Sequence, residues 1–233
     1  MSDKVTIQDV AREAGTSVST VSRVLTGSAP VSDGKRQAVE EAIEKLGYRP
    51  SLIARSLKTR TTYSIGLMIN DITNPFYSAI VKGVEEEANR QGYSLILCNT
   101  SEDPARELQY LQVLHDKQVD GIIFGPTGEN VDFIRDLAGR IPLVQVDRRL
   151  DGVESDAVLV DNEGGAYQAV GLLIEKGHRR IGLLGWSLSI MTGPQRIAGY
   201  QRALEEAGIA LDPAIMVTPP IFAPERMPDM ARE

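Results

Sequence analysis

From Thr6 onward apolar residues recur at helical spacing: Ile7, Val10, Ala11 and Ala14, with Gly15 following where a left-handed turn residue is wanted. A second short helical pattern starts at once, and it predicts Val18, Val21 and Val24 pointing inward. Two helices joined by so tight a turn form a helix-turn-helix, whose second helix fits a DNA major groove. Ala11 is small enough to let the helices approach, and Val21 fills the angle between them. The polar face of the second helix carries Ser17, Ser19, Thr20, Ser22 and Arg23. These are short hydrogen-bonding groups and one fork-shaped donor, where a solvated helix would carry Glu and Lys. Ser32 is placed to cap a third helix through Val39, Ala42, Ile43 and Leu46, with Gly47 as its stop.

The run Tyr48-Arg-Pro-Ser51 interrupts this pattern, because Pro50 disfavours helix at Arg49. Residues 52–57 read as one or two further helical turns, and residues 58–62 as a polar linker. From Tyr63 strands and helices alternate. Strands are predicted at 65–69, 94–98, 121–124, 143–146 and 157–160, and helices at 75–91, 104–117 and 131–138. Strands continuous in apolar residues, each followed by a helix, indicate a parallel sheet covered on both faces. After Asp161 the alternation restarts with a helix at 164–176, a strand at 181–184 and a helix at 196–207. The expected divisions are a helix-turn-helix domain (1–47), a hinge helix and linker (48–62), an α/β subdomain (63–161) and a partial second one (162–233). That last part has one clear internal strand, too little to cover a sheet's edges. Residues 226–233 look like the opening turn of a helix capped by Asp229, so the chain is expected to stop inside a domain.

Charge sharpens the division. The whole chain has a net charge of −7, which alone argues against nucleic acid. Yet residues 1–60 hold ten basic and seven acidic side chains, a net of +3, while the rest carries −10. A basic head on an acidic body suits a DNA reader with a separate sensing domain, since only the head meets phosphate. The single cysteine, Cys98, allows no internal disulfide and suits a reducing cytoplasm. No apolar run approaches eighteen residues and no basic-then-apolar leader is present, so neither a membrane span nor a secretory signal is expected.

The run of residues 6–25, the Leu46-Gly-Tyr-Arg-Pro50 ending of the head and the Ala54-Arg-Ser-Leu57 hinge resemble the lactose-repressor (LacI/GalR) family of bacterial transcription regulators. The body is similar too, in Asp71-Ile-Thr-Asn-Pro-Phe-Tyr77, Val119-Asp-Gly-Ile-Ile123, Gly177-His-Arg-Arg-Ile181 and Arg196-Ile-Ala-Gly-Tyr200. The resemblance implies a homodimeric repressor of palindromic operators, with a body of periplasmic-binding-protein fold and a sugar-like effector between two subdomains. It also implies a longer chain, with further strands in the second subdomain.

By this resemblance Val18, Ser19 and Arg23 face the bases. The chemistry agrees: Arg23 can bond guanine bidentately, Ser19 can donate or accept, and Val18 can touch a thymine methyl. Thr6, Ser17 and Thr20 suit phosphate oxygens, which position the helix without reading sequence. The resemblance places Leu57 as a minor-groove wedge, replacing lost base stacking with side-chain contact, while Arg55, Lys58 and Arg60 meet flanking phosphates. The chain departs from the family at Lys35, where threonine is usual, and at Gly34. Lys35 still suits a phosphate, but Gly34 costs the first turn of the third helix up to about 1 kcal/mol.

Ligands of doubly wound sheets collect beyond the carboxyl ends of the strands, which gathers the 70–77 loop, the Gly125-Pro126 loop and the loop at Asp147 around one opening. Phe76 or Tyr77 could stack on a ring, and Asp147 and Arg196 could fork onto hydroxyls or a carboxylate. The resemblance assigns effector contact to these positions and adds Thr192. Two plainer readings stay open: Phe76 as a core residue at a helix start, and Asp147 paired with Arg148 or Arg149. His115, His178 and Cys98 make neither metal-ligand spacing nor a nucleophile–base pair, and Trp186 suits loop packing or a cleft wall equally. Gly182-Leu-Leu-Gly185 lacks a dinucleotide fingerprint, so no cofactor and no enzyme activity are expected. The alternatives to a regulator are a small-molecule-binding protein of periplasmic-binding fold and a truncated fragment that regulates nothing. A mere binding protein has no use for Leu57 flanked by Arg55 and Lys58.

Overall fold

The computed structural model describes residues 5–27, 29–48, 61–185 and 192–218. The chain divides between Thr62 and Tyr63 into two units. In the first, α1 (Ile7–Glu13) starts in a reciprocal cap. The Asp9 carboxylate accepts from the Thr6 amide at 3.0 Å and from its hydroxyl at 2.6 Å, while the Asp9 amide reaches the Thr6 hydroxyl. Gly15, at φ +61°, makes the turn that a side chain would strain. Helix α2 (Val18–Thr26) is capped by Ser17, whose hydroxyl accepts from the Thr20 amide at 3.2 Å. Helix α3 (Asp33–Leu46) ends at Gly47, and Val10, Ala11, Val21, Val39 and Ala42 form the buried centre of the three.

Two expectations for the head are corrected. Ser32 stands at the N-cap of α3, but its side chain makes no capping bond. Val18 does not point inward; it is 41% exposed. As the first residue of α2 it has a Cα–Cβ bond tilted toward the helix start, past the edge of the packed face.

The second unit is built on a five-stranded, all-parallel sheet of order β2-β1-β3-β4-β5. Its strands are β1 (Ser64–Ile69), β2 (Ser94–Asn99), β3 (Gly121–Phe124), β4 (Leu143–Val146) and β5 (Asp156–Val158), joined through α4 (Pro75–Arg90), α5 (Pro104–Asp116) and α6 (Val131–Ala138). Alternation along the strands splits the apolar residues between two faces. Leu67, Ile69 and Ile123 pack with Tyr77 and Ile80 of α4. Met68, Ile122 and Phe124 pack with Leu111 and Leu114 of α5 and Ile134 of α6. Both faces are covered, as expected, while side chains of the two edge strands stay open: Leu97 of β2 is 39% exposed and Val158 of β5 is 65% exposed. Strand β5 also ends at Val158 rather than running on to 160.

Beyond the sheet, α7 (Asn162–Glu175) packs on α8 (Thr192–Glu206), with β6 (Leu183–Leu184) paired in parallel to β7 (Met216–Val217). Val170, Ile181, Tyr200, Ala203 and Leu204 form the core here, and the Tyr200 hydroxyl donates to the Ile181 carbonyl at 2.8 Å. The two helices touch backbone to backbone at Gly199, where even a methyl group would collide with α7. Helix α8 begins at Thr192, four residues earlier than the pattern suggested, and β7 was not expected. Among the described residues, no helix is long and apolar enough to cross a membrane.

Candidate functional site

In the head, the expected DNA-facing residues gather at the start of α2. Ser17, Val18 and Ser19 are exposed there, and the Ser17 hydroxyl lies 2.8 Å from that of Ser19 and 2.9 Å from that of Thr20. This places a cluster of small donors beside the free amides of a helix N-terminus, the arrangement that meets phosphate or a base edge. Arg23 is exposed in the last turn of α2, and Lys35 is exposed in the first turn of α3. Thr6 has a second task, since its hydroxyl already caps α1. Arg55, Leu57 and Lys58 lie outside the described residues, as do Arg60, Trp186 and Asp229.

In the second unit a cavity of about 500 Å³ opens beyond the ends of β1, β2 and β4, with the start of α8 as a further wall. Phe76, Tyr77, Asp147, Thr192 and Arg196 all line it. They are not equivalent. Phe76 is 38% exposed, so it is not a core residue, and its ring meets Tyr77 edge-on at 5.2 Å. Tyr77 is the buried one, and its hydroxyl donates to Asp147 Oδ2 at 2.8 Å. Burial pushes the Tyr77 phenol far above its ordinary pKa, so it stays a donor to that carboxylate. Asp147 therefore offers one uncommitted oxygen, and Phe76 the open ring face. On α8, Arg196 Nε donates to Asn162 Oδ1 at 2.8 Å, which aims the guanidinium from α8 while leaving its terminal nitrogens for a ligand.

The reading from sequence missed Glu102 and gave Arg148 only a supporting part. Both terminal nitrogens of Arg148 donate to the Glu102 carboxylate, at 2.5 and 2.7 Å, and Asn70 Nδ2 donates to it at 2.9 Å. Arg148 Nε lies 3.5 Å from Asp147 Oδ2, so the pairing left open between Arg148 and Arg149 falls to Arg148. Burial is the largest influence and opposes the Arg148 charge, yet the bonds from Glu102 and the charges of Tyr77, Glu102 and Asp147 together raise its pKa above the ordinary value. Ser101, Glu102 and Asp147 adopt left-handed backbone at φ +55°, +58° and +68°. Each such residue costs about 1–3 kcal/mol, and all three line this one cavity. The same strand-end rule that pointed to the loops after β1, β3 and β4 points equally to the loop after β2, where Glu102 sits. Gly125 and Pro126, expected at the opening, do not line the cavity, although a side chain at Gly125 would strike Asn70 Oδ1. Among the described residues no group of three His, Cys, Asp or Glu side chains is placed to hold a metal ion.

Comparison with known proteins covers both units. Residues 6–51 match the family model described as bacterial regulatory proteins, lacI family. Residues 62–218 match periplasmic binding proteins and sugar binding domain of LacI family. The HTH-type transcriptional regulator RegA of Clostridium saccharobutylicum is 42% identical over 214 residues, covering 90% of this chain and 64% of the relative. The ribose operon repressor of Haemophilus influenzae is 40% identical over 208 residues, covering 89% of this chain and 63% of the relative. The crystal structure of the lac repressor dimer bound to operator and the anti-inducer ONPF aligns with a TM-score of 0.80 at 26% identity, over 93% of this chain and 65% of that one. The chain thus spans a little under two thirds of the length of these relatives.

Proposed function

This chain belongs to the LacI family of bacterial regulatory proteins, and from that membership we propose that it is a sequence-specific transcriptional repressor controlled by a small, sugar-like effector. One observation carries the reading: the start of α2 exposes Val18 and Ser19, with Arg23 a turn onward, on a capped three-helix head whose following segment, to residue 60, brings the net charge of residues 1–60 to +3. Short groups at a helix start reach base edges, and Arg23 supplies a bidentate donor for guanine. Thr6, Ser17, Thr20 and Lys35 hold phosphates, and Leu57, flanked by Arg55 and Lys58, enters the minor groove. A homodimer places two heads on the halves of a palindromic site. The protein works in the cytoplasm, where the DNA is, and has no catalytic role. The effector occupies the cavity between the strand ends and α8, stacked on Phe76 and bonded by Asp147, Thr192 and Arg196.

Selection of bound duplexes from a random library by the 233-residue chain tests the proposal. An inverted repeat should emerge within a few rounds at moderate salt. A library that stays as random as the input would overturn the regulator reading.

A further inference from the structure

Arg148 is the most buried cation of the cavity, 7% exposed, and an incoming phosphate or carboxylate would find no stronger anchor. Glu102 already occupies it. The carboxylate takes both terminal nitrogens in a fork, and one of these also reaches the Pro126 carbonyl at 3.2 Å. Around the pair the walls carry Asp71, Glu102 and Asp147 against Arg148 and Arg196, so the lining is net negative.

We infer that Glu102 sets the charge selectivity of this cavity: it withholds Arg148 from anions and reserves the site for an uncharged, hydroxyl-rich ring. The inference rests on reading the cavity as the effector site. Two physical arguments support it. A phosphate would stand beside Glu102 and Asp147 in a partly dry pocket, where like charges repel most strongly. The inventory of unsatisfied atoms points the same way. Arg148 Nε, a donor at ion-pair distance from Asp147 Oδ2, and Asn70 Oδ1, an acceptor, are buried without a hydrogen bond, and both belong to lining residues. A hydroxyl can both accept and donate, whereas a phosphate dianion only accepts and leaves Asn70 Oδ1 and the open Asp147 oxygen unanswered. Arg196 does not reverse this, because its terminal nitrogens match two neighbouring hydroxyls as well as they match an anion.

Ligand-induced shifts of the melting temperature measure the selectivity on the full chain, using aldopentoses and aldohexoses, each beside its terminal phosphate ester. At least one free sugar should bind, with its phosphate about tenfold weaker or worse. E102Q should narrow that ratio by about tenfold, and E102D, which keeps the charge, should hold it near the native value. A native chain that binds any sugar phosphate as tightly as the free sugar overturns the inference, whatever the variants do. So does a folded E102Q with an unchanged ratio. If no sugar or phosphate binds while duplex selection yields an inverted repeat, the effector reading and this inference fall together and the DNA reading stands. If selection fails but the ratio follows Glu102, the inference stands without the regulator.

Discussion

Replacing Gly199 with alanine sets two effects of opposite sign against each other. In a helix interior alanine is favoured over glycine by about 1 kcal/mol. At Gly199 the added methyl would lie 2.9 Å from the Tyr167 amide nitrogen and 3.0 Å from Ala166 Cβ, and nearer still to the Glu163 carbonyl oxygen. Two of these three are backbone atoms of α7, which cannot rotate aside, so α8 has to move outward. Overpacking of this kind costs about 1–3 kcal/mol, and contact with backbone puts it in the upper part of that range. The net expectation is a loss of about 1–2 kcal/mol after the propensity gain. Gly171→Ala on α7 is the control, since a methyl there meets nothing within 4 Å and should add about 0.4–1 kcal/mol. Urea melts followed by circular dichroism separate the two through their midpoints at constant slope. Because α8 carries Thr192 and Arg196 to the cavity, Gly199→Ala should also weaken sugar binding. A Gly199→Ala chain stabilised as much as Gly171→Ala would refute the backbone contact between these helices.

Further outcomes follow from the caps, the buried hydroxyl and the hinge. The Thr6 hydroxyl and amide hold the Asp9 carboxyl below its ordinary value of 3.8, so its contribution is complete above that pH and is lost as the pH falls below it. Asp9→Asn should therefore lower the melting temperature at neutral pH and flatten its decline in acid, and a decline as steep as the native one would show that the cap carries no charge effect. Tyr77→Phe removes a buried donor from Asp147 and should cost about 1–3 kcal/mol in a urea melt, with a loss near zero arguing against that bond. Leu57→Ala should reduce the bend of a selected duplex in a circular-permutation gel assay, and an undiminished bend would remove the leucine from the minor groove.

The head was legible because its signals are local. The apolar spacing of Ile7, Val10, Ala11 and Ala14, with Gly15 at the turn and Gly47 at the stop, announces helix boundaries within three or four residues, while the caps by Thr6 and Ser17 were seen only in the structure. The strands of the five-stranded sheet were legible for the same reason, as apolar runs of four or five residues between breakers, although β5 was drawn two residues too far. What escaped depended on tertiary pairing or on residues with two meanings. The start of α8 was expected at 196 and lies at Thr192; Pro194 falls in its first turn, where a missing amide hydrogen costs nothing. Strand β7 has two residues and exists only because β6 lies beside it. Glu102 and Arg148 stand forty-six positions apart, and no spacing announces their bond. Phe76 and Tyr77, adjacent and both aromatic, take opposite parts because the helix turns one toward Asp147 and leaves the other at the opening.

The claim that α2 reads bases is tested most directly by Arg23. The native chain and Arg23→Ala should be compared by fluorescence anisotropy on the selected duplex and on its scrambled counterpart, at one salt concentration. The expected loss on the selected duplex is about 1–3 kcal/mol, roughly fivefold to 150-fold in affinity, with little change on the scrambled one. Equal losses on both would make Arg23 a phosphate contact and contradict base reading by this helix.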